Sequence, residues 1–309
     1  MKCLSLDGGG IGGIYTSSLL ERLEEETGNL FCSNIDAIAG TSTGSIIACA
    51  IGMGMSPKDI SSFYFELAPK VFKREWYHKT FQIDRIFGAP YKSERLEGHL
   101  RDVFGNRKLG DLSKKILIPT LDLDREKFGV RQSGAKFISS FGGASDDSEH
   151  GVVEAIMKSA SAPTYFAPYK NRFVDGGLVQ NNPAAAMVVE CTKQGLNKEQ
   201  IILISLGTGK IPPYVDSTKA IRWGVLNFVR PLIDSLTNSN MDVSDKFAQR
   251  LLGVHYKRYS KALSRKYDID DPSAMRWIYD EVKTFDVREL VNYVKAFFNI
   301  FTKADVPRV

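Results

Sequence analysis

Apolar residues along this chain arrive in short continuous runs, separated by stretches in which they recur every three or four positions. A short apolar run bounded by glycine or a turn predicts a strand buried on both faces, and the wider spacing predicts a helix with one buried face. Cys3 to Leu6 is the first such run. It passes into the glycine-rich stretch Gly8 to Gly13 and then a helix through Tyr15 that stops at Gly28. The next run, Ile35 to Ala39, leads through Gly40 and Ser42 to Gly44 and into an Ala/Ile-rich helix from Ser45 to Ile51. Ser56 predicts a helix start, with Pro57 at the first position and Asp59 at the third. Ser93 to Phe104 predicts another helix, closed by Gly105. Strands are expected at Ile116 to Leu123 and Lys136 to Phe141, a helix at Val152 to Ala160, and a short strand from Arg172 to Asp175 before Gly176 and Gly177. Asn182-Pro183 opens an alanine-rich helix, and Ile201 to Leu206 closes the series as a strand.

Strand and helix alternating in this way predict an α/β layered fold, with a central, mostly parallel sheet flanked by helices. From about residue 215 the pattern changes to longer amphipathic segments, such as Trp223 to Leu236, Asp245 to Leu252 and Val287 to Phe301. No stretch rich in proline, glycine and serine separates them from the rest. The expectation is one unit over residues 1–309, with its motifs in 2–210 and a helical C-terminal extension, 215–309, packed on it.

Composition narrows the class without naming a function. At 309 residues the chain can bury a large core without staples. No apolar window approaches the ~18 residues of a transmembrane helix, and the N-terminus runs straight into a strand without a leader pattern. Cys3, Cys32, Cys49 and Cys191 are widely spaced and lack zinc-ligand spacing, so they read as reduced thiols of a cytoplasmic protein. A net charge of +5 favours anionic surfaces slightly but falls short of a nucleic-acid-binding stripe. The segment Val71 to Tyr91 mixes Phe72, Trp76, Tyr77, Phe81 and Phe87 with Lys73, Arg74, Lys79 and Arg85. It reads either as a face for the lipid headgroup region or as an ordinary loop and helix packed on the core.

The chemistry gathers at three places. Strand, glycine–x–serine–x–glycine, helix is a nucleophile elbow, in which a sharp turn lifts the Ser42 hydroxyl clear of the sheet. The glycine loop Gly8 to Gly13 supports three readings. It can be an oxyanion hole of backbone N–H groups at a helix start, a tight packing turn, or a dinucleotide loop. Against the last, Asp7 would set a carboxylate beside the pyrophosphate, and the second strand runs into Ser42 instead of an acidic residue. A serine also needs a base. His78, His99 and His150 lie in charged stretches, and His255 follows Ser42 and the best acid in the chain order of a Ser-Asp-His hydrolase, but without a turn to aim it. Asp175 is the stronger candidate, because it ends a strand and the two glycines after it let the chain turn away from the carboxylate.

Together these pieces resemble the patatin-like phospholipase family. Asp7 to Gly13 is similar to its glycine loop, Gly40 to Gly44 to its elbow, and Asp175 to Gly177 to the aspartate of its catalytic dyad. The stretches Ser159 to Phe166, Asn181 to Pro183 and Ser205 to Gly209 agree in the same order, so the likeness spans about residues 2 to 210. The resemblance implies a Ser42–Asp175 dyad that needs no histidine, with an oxyanion hole from the backbone of Gly8, Gly9, Gly10 and Thr43. It implies hydrolysis of fatty acyl esters in phospholipids, lysophospholipids or related lipids, without metal or other cofactor; peripheral contact with a membrane is the expectation attached to the segment Val71 to Tyr91. An acyltransferase or thioesterase using the same dyad, or a non-catalytic lipid-binding module, are the alternatives. One position departs: the family loop usually carries arginine where this chain has Gly12.

Overall fold

The structure, a computed structural model, describes residues 1–28, 30–73, 89–143, 146–209, 211 and 225–299. Its sheet is built from β1 (Lys2–Leu6), β2 (Ala37–Gly40), β3 (Lys115–Lys127), β4 (Val130–Ser139), β5 (Phe173–Val174), β6 (Ile202–Leu206) and β7 (Tyr256–Tyr259). The order across it is β4-β3-β2-β1-β6-β7, with β5 paired on β3. β3, β2, β1, β6 and β7 run parallel to their neighbours in that row, while β4 and β5 pair with β3 antiparallel. This is the expected mostly parallel sheet flanked by helices.

Residues alternate across the sheet between two apolar layers. Leu4, Leu6, Ile38, Ile204 and Leu206 face a core shared with α1 (Gly13–Thr27), α2 (Thr43–Met53), α3 (Pro57–Val71), α4 (Ser93–Phe104) and α5 (Val152–Ala160). Also on that side are α9 (Met275–Lys283) and α10 (Arg288–Phe298), at the C-terminal end. Cys3, Ala37, Ala39 and Leu203 face the opposite core, against α7 (Ala184–Lys193) and α8 (Val225–Leu252). Between them in sequence, α6 (Gly177–Gln180) is a single turn after β5. Burial on both faces explains why the parallel strands read as unbroken apolar runs. The four cysteines are free thiols, three of them buried.

Local signals set many helix ends where expected. Gly28 closes α1 in the left-handed conformation, and the Ser56 hydroxyl accepts the Asp59 N–H at 3.2 Å to start α3. The C-terminal portion differs from expectation in two respects. Val225–Leu252 is one helix, α8, which joins the described part of the first expected segment, 225–236, to Asp245 to Leu252. Tyr256–Tyr259 is not helical at all: it adds β7 to the sheet beside β6. Residues 74–88, which hold most of the aromatic–basic segment and His78, lie outside the described residues.

The pairing fixes where the site forms. β1 and β2 lie side by side in parallel, with Leu6 opposite Gly40, so the glycine loop and Ser42 leave the sheet at one edge. β2 pairs β3 only as far as Leu117, and β5 takes up that flank of β3 at Leu121 and Asp122. β5 runs back toward the end of β2, so Asp175 arrives just beyond Gly40. Open parallel sheets place their sites at this carboxyl edge.

Candidate active site

Ser42 has φ 51° and ψ −119°, a left-handed backbone that a side chain adopts only under constraint, at about 1–3 kcal/mol. Several bonds supply the constraint. The Ser42 N–H donates to Ser159 Oγ at 3.0 Å, and its carbonyl accepts both the N–H of Ser45 at 2.9 Å and the Ser45 hydroxyl at 2.6 Å. The flanking glycines are required by close approach. A Cβ on Gly40 would overlap the Gly44 carbonyl, and one on Gly44 would overlap the Leu6 carbonyl. The elbow is therefore a fixed backbone shape that presents one hydroxyl.

Asp175 stands next to it, 6% exposed. Its N–H donates to the Ser161 carbonyl at 3.0 Å, and its Oδ1 accepts the Gly177 N–H at 2.7 Å. Burial pushes the carboxyl up from 3.8 to about 6, although the Gly177 N–H and the nearby Ser42 hydroxyl favour its charged form. The serine lies within electrostatic reach but not in a well-formed hydrogen bond. Oδ2 is buried without a partner at hydrogen-bonding distance and angle. A catalytic pair often tightens only when substrate is bound. An unpartnered, basic carboxylate oxygen beside a strained serine is an arrangement able to accept a proton.

The glycine loop supplies backbone donors, though not all of those expected. Gly8 donates its N–H to the Asn181 carbonyl at 3.1 Å, Gly12 to Gly9 at 3.0 Å, and Ile11 to Ile269 at 2.9 Å. An N–H already bonded inside the fold is not free for substrate, so Gly8 leaves the set of donors. Gly9, Gly10 and Thr43 donate to no acceptor among the described residues, and all three border the cleft that holds Ser42 and Asp175. Asp7, beneath the loop, is fully buried and does not line the cleft. Arg258 of β7 holds both its oxygens, at 3.2 and 2.6 Å. Burial still pushes Asp7 up from its ordinary value against that pairing.

The cleft is open to solvent, and the space between its walls and mouth comes to about 1380 Å³, open solvent included. Away from the dyad apolar walls predominate, with Leu67, Val71 and Phe72 of α3 and its end on one side, while α8 brings Met241 together with Asp234, Thr237 and Asn238. Such walls suit an acyl chain. No group of three or more His, Cys, Asp or Glu able to hold a metal ion occurs among the described residues. None of the described histidines lines the cleft. His99 sits 3.6 Å from Asp102, His150 lies 2.9 Å from Lys158 Nζ, and the His255 ring packs edge-on to Phe297.

The family model for "Patatin-like phospholipase" matches residues 4–188, more than half of the chain. The chain belongs to the patatin-like phospholipase family. Patatin-like protein 4 of Arabidopsis thaliana is 27% identical over 285 residues, covering 78% of this chain and 69% of its own length. The cGAMP-activated phospholipase of Escherichia coli (strain TW11681) is 27% identical, with 67% of this chain and 62% of its own length covered. The 85/88 kDa calcium-independent phospholipase A2 of Mus musculus is 30% identical, with 68% of this chain covered but only 27% of its own length. The chain thus spans less than two thirds of the bacterial and mouse relatives. Among solved structures, human GIVD cytosolic phospholipase A2 superposes with TM-score 0.44 at 10% identity, covering 97% of this chain and 60% of that one.

Within this patatin-like frame, residues that the sequence did not single out as functional support those it did. Ser159 holds the elbow N–H. Asn181 accepts from Gly8 and sends its own Nδ2 to the Gly8 carbonyl at 3.2 Å. Asn240, in the polar middle of α8, accepts the Asn181 N–H at 2.9 Å and donates to the Gly177 carbonyl at 2.8 Å. Ser159 and Asn181 stand in stretches that resemble the family, which was their only signal. Asn240 had none.

Proposed function

We propose that this chain is a serine lipid acyl hydrolase that cleaves fatty acyl esters of phospholipids, lysophospholipids or related glycerolipids. Ser42 Oγ attacks the ester carbonyl carbon while Asp175 Oδ2 accepts the serine proton. The N–H groups of Gly9 and Gly10, with that of Thr43, receive the oxyanion, at about 2.7–4 kcal/mol for each donor. The tetrahedral species collapses, the alcohol leaves with the proton from Asp175, and an acyl-serine remains. Water then attacks that ester with Asp175 again taking a proton, which releases the fatty acid and restores the serine. No histidine has a part.

One observation carries this reading: the buried, unpartnered Oδ2 of Asp175 beside the strained Ser42. The family and the phospholipase names of the relatives support acyl lipid as substrate. A cytoplasmic protein that meets its substrate at a membrane surface fits the reading, and the relative named intracellular phospholipase A2 in Caenorhabditis elegans accords with it. Fatty acid release from mixed phospholipid vesicles tests it, with Ser42→Ala and His255→Ala as paired variants. Release should vanish with Ser42→Ala and stay within about twofold of wild type with His255→Ala, because in a triad losing the histidine costs orders of magnitude. Activity that survives Ser42→Ala, or dies with a folded His255→Ala, removes the dyad.

A further inference from the structure

The glycine at position 12 has a counterpart at the far end of the chain. A Cβ placed on Gly12 would overlap the Tyr267 hydroxyl and come within 2.9 Å of Thr208 Cβ. Tyr267 is half-buried and donates its hydroxyl to the Thr208 carbonyl at 2.9 Å. Thr208 is the next link. Its Oγ1 and methyl stand 2.8 and 3.1 Å from where a Cβ on Gly9 would lie, so its side chain backs that residue directly. Two residues beyond Tyr267, the Ile269 carbonyl accepts the Ile11 N–H at 2.9 Å and fills the side of Gly10 where a Cβ would stand. Gly10 itself is left-handed, at φ 57°. The segment is anchored at both ends: Leu263 donates its N–H to the Gly209 carbonyl at 3.1 Å, and Asp270 accepts the Tyr91 hydroxyl at 2.7 Å. Of the two free donors in the loop, Gly10 thus has this C-terminal segment directly against it, and Gly9 has Thr208, whose carbonyl Tyr267 holds.

We propose that Tyr267 is a positioning residue. Acting through Thr208, and together with the Ile269 carbonyl, it sets the Gly9 and Gly10 N–H groups toward the carbonyl that Ser42 attacks. Position 12 is glycine because that space is given to a phenol from outside the loop. This rests on the reading of Gly9 and Gly10 as oxyanion donors. It gives Tyr267, which does not itself line the cleft, a part in the chemistry without contact with substrate.

Tyr267→Phe keeps the ring and removes one hydroxyl, so the variant should fold. A slight misplacement of reacting groups is enough to lose up to about a hundredfold in rate. For Tyr267→Phe on a short soluble ester, kcat should fall roughly tenfold with KM within about twofold. The same variant should lose preference for an ester over its thionoester. A thiocarbonyl sulfur accepts hydrogen bonds poorly, so that ratio reports on the donors rather than on stability. Gly12→Ala should be more damaging alone than in the Tyr267→Phe background, where the oxygen it meets is gone. Thermal melts accompany each variant. The proposal is overturned if folded Tyr267→Phe keeps the wild-type kcat, if its kcat falls while the oxo-to-thiono ratio does not, or if Tyr267→Phe fails to lessen the Gly12→Ala loss. Should the wild-type enzyme itself show no preference for the oxo ester, the oxyanion reading fails first, before any variant is made, and this proposal falls with it.

Discussion

If Asp175 is the base, the protein keeps a carboxylate where water hardly reaches it, and that should appear as lost stability. Burial moves the carboxyl from 3.8 to about 6 in the fold. Below the lower value the group is neutral in both the folded and unfolded chain, and folding loses nothing. As pH rises, the unfolded chain ionises first, so the fold loses stability until about pH 6 and stays at that reduced level above it. A gap of about two pH units corresponds to about 3 kcal/mol. Asp175→Asn removes the titration while its amide oxygen can keep the Gly177 N–H. The new amide N–H group stands where Oδ2 has no partner, which takes back about 1 kcal/mol. The variant should therefore be nearly inactive, yet about 2 kcal/mol more stable than wild type at pH 8. The advantage should shrink by about 1.4 kcal/mol at pH 5. Urea unfolding at the two pH values, with unchanged m-values, measures this directly. In the wild type, kcat/KM should rise with pH through about 6 as the base loses its proton. A folded, inactive Asp175→Asn whose stability equals wild type at both pH values would refute the claim that the base is a desolvated carboxylate.

Two further outcomes follow from the residues that support the site. Ser159→Ala leaves the Ser42 N–H without its acceptor, so we expect about 1–2 kcal/mol lower stability and roughly a tenfold slower ester turnover; unchanged turnover would mean the elbow holds its shape without that bond. Arg258→Ala leaves the buried Asp7 carboxylate unpaired, at about 3–5 kcal/mol in chemical denaturation. Because burial already raises Asp7 and losing the cation raises it further, the loss should be greater at pH 8 than at pH 4.

Most of the architecture is legible because its signals are local. Val152–Ala160 folds over the residues its pattern marks, and Gly28, Ser56 with Pro57, and Gly105 mark helix ends through their own backbone or side-chain chemistry. Where the sequence misleads, the partner of the segment is absent from its neighbourhood. Val130 to Ala135 reads as polar, yet it is the outer arm of a hairpin with β3 that leaves the sheet and has little core to face. β7 reads as a charged stretch because Arg258, in a strand with only Tyr256 fully buried, faces a carboxylate 251 residues earlier in the chain.

The same distinction separates the legible part of the site from the rest. Ser42 and Asp175 announce themselves because each lies beside glycines. In the elbow those glycines are fixed by steric contact with carbonyls, Gly44 against Leu6 and Gly40 against Gly44. Ser159, Asn181, Asn240 and Arg258 act only through contacts that exist once the sheet has formed, and none has neighbours that reveal its partner. Gly12 falls between the two cases. Its lack of a side chain is plain in the sequence and reads there as a cation lost from the loop. The fold shows the space filled, by a tyrosine 255 residues later whose hydroxyl reaches the carbonyl of Thr208. A missing side chain in a motif is therefore half of a contact, and the other half is found only where the chain returns.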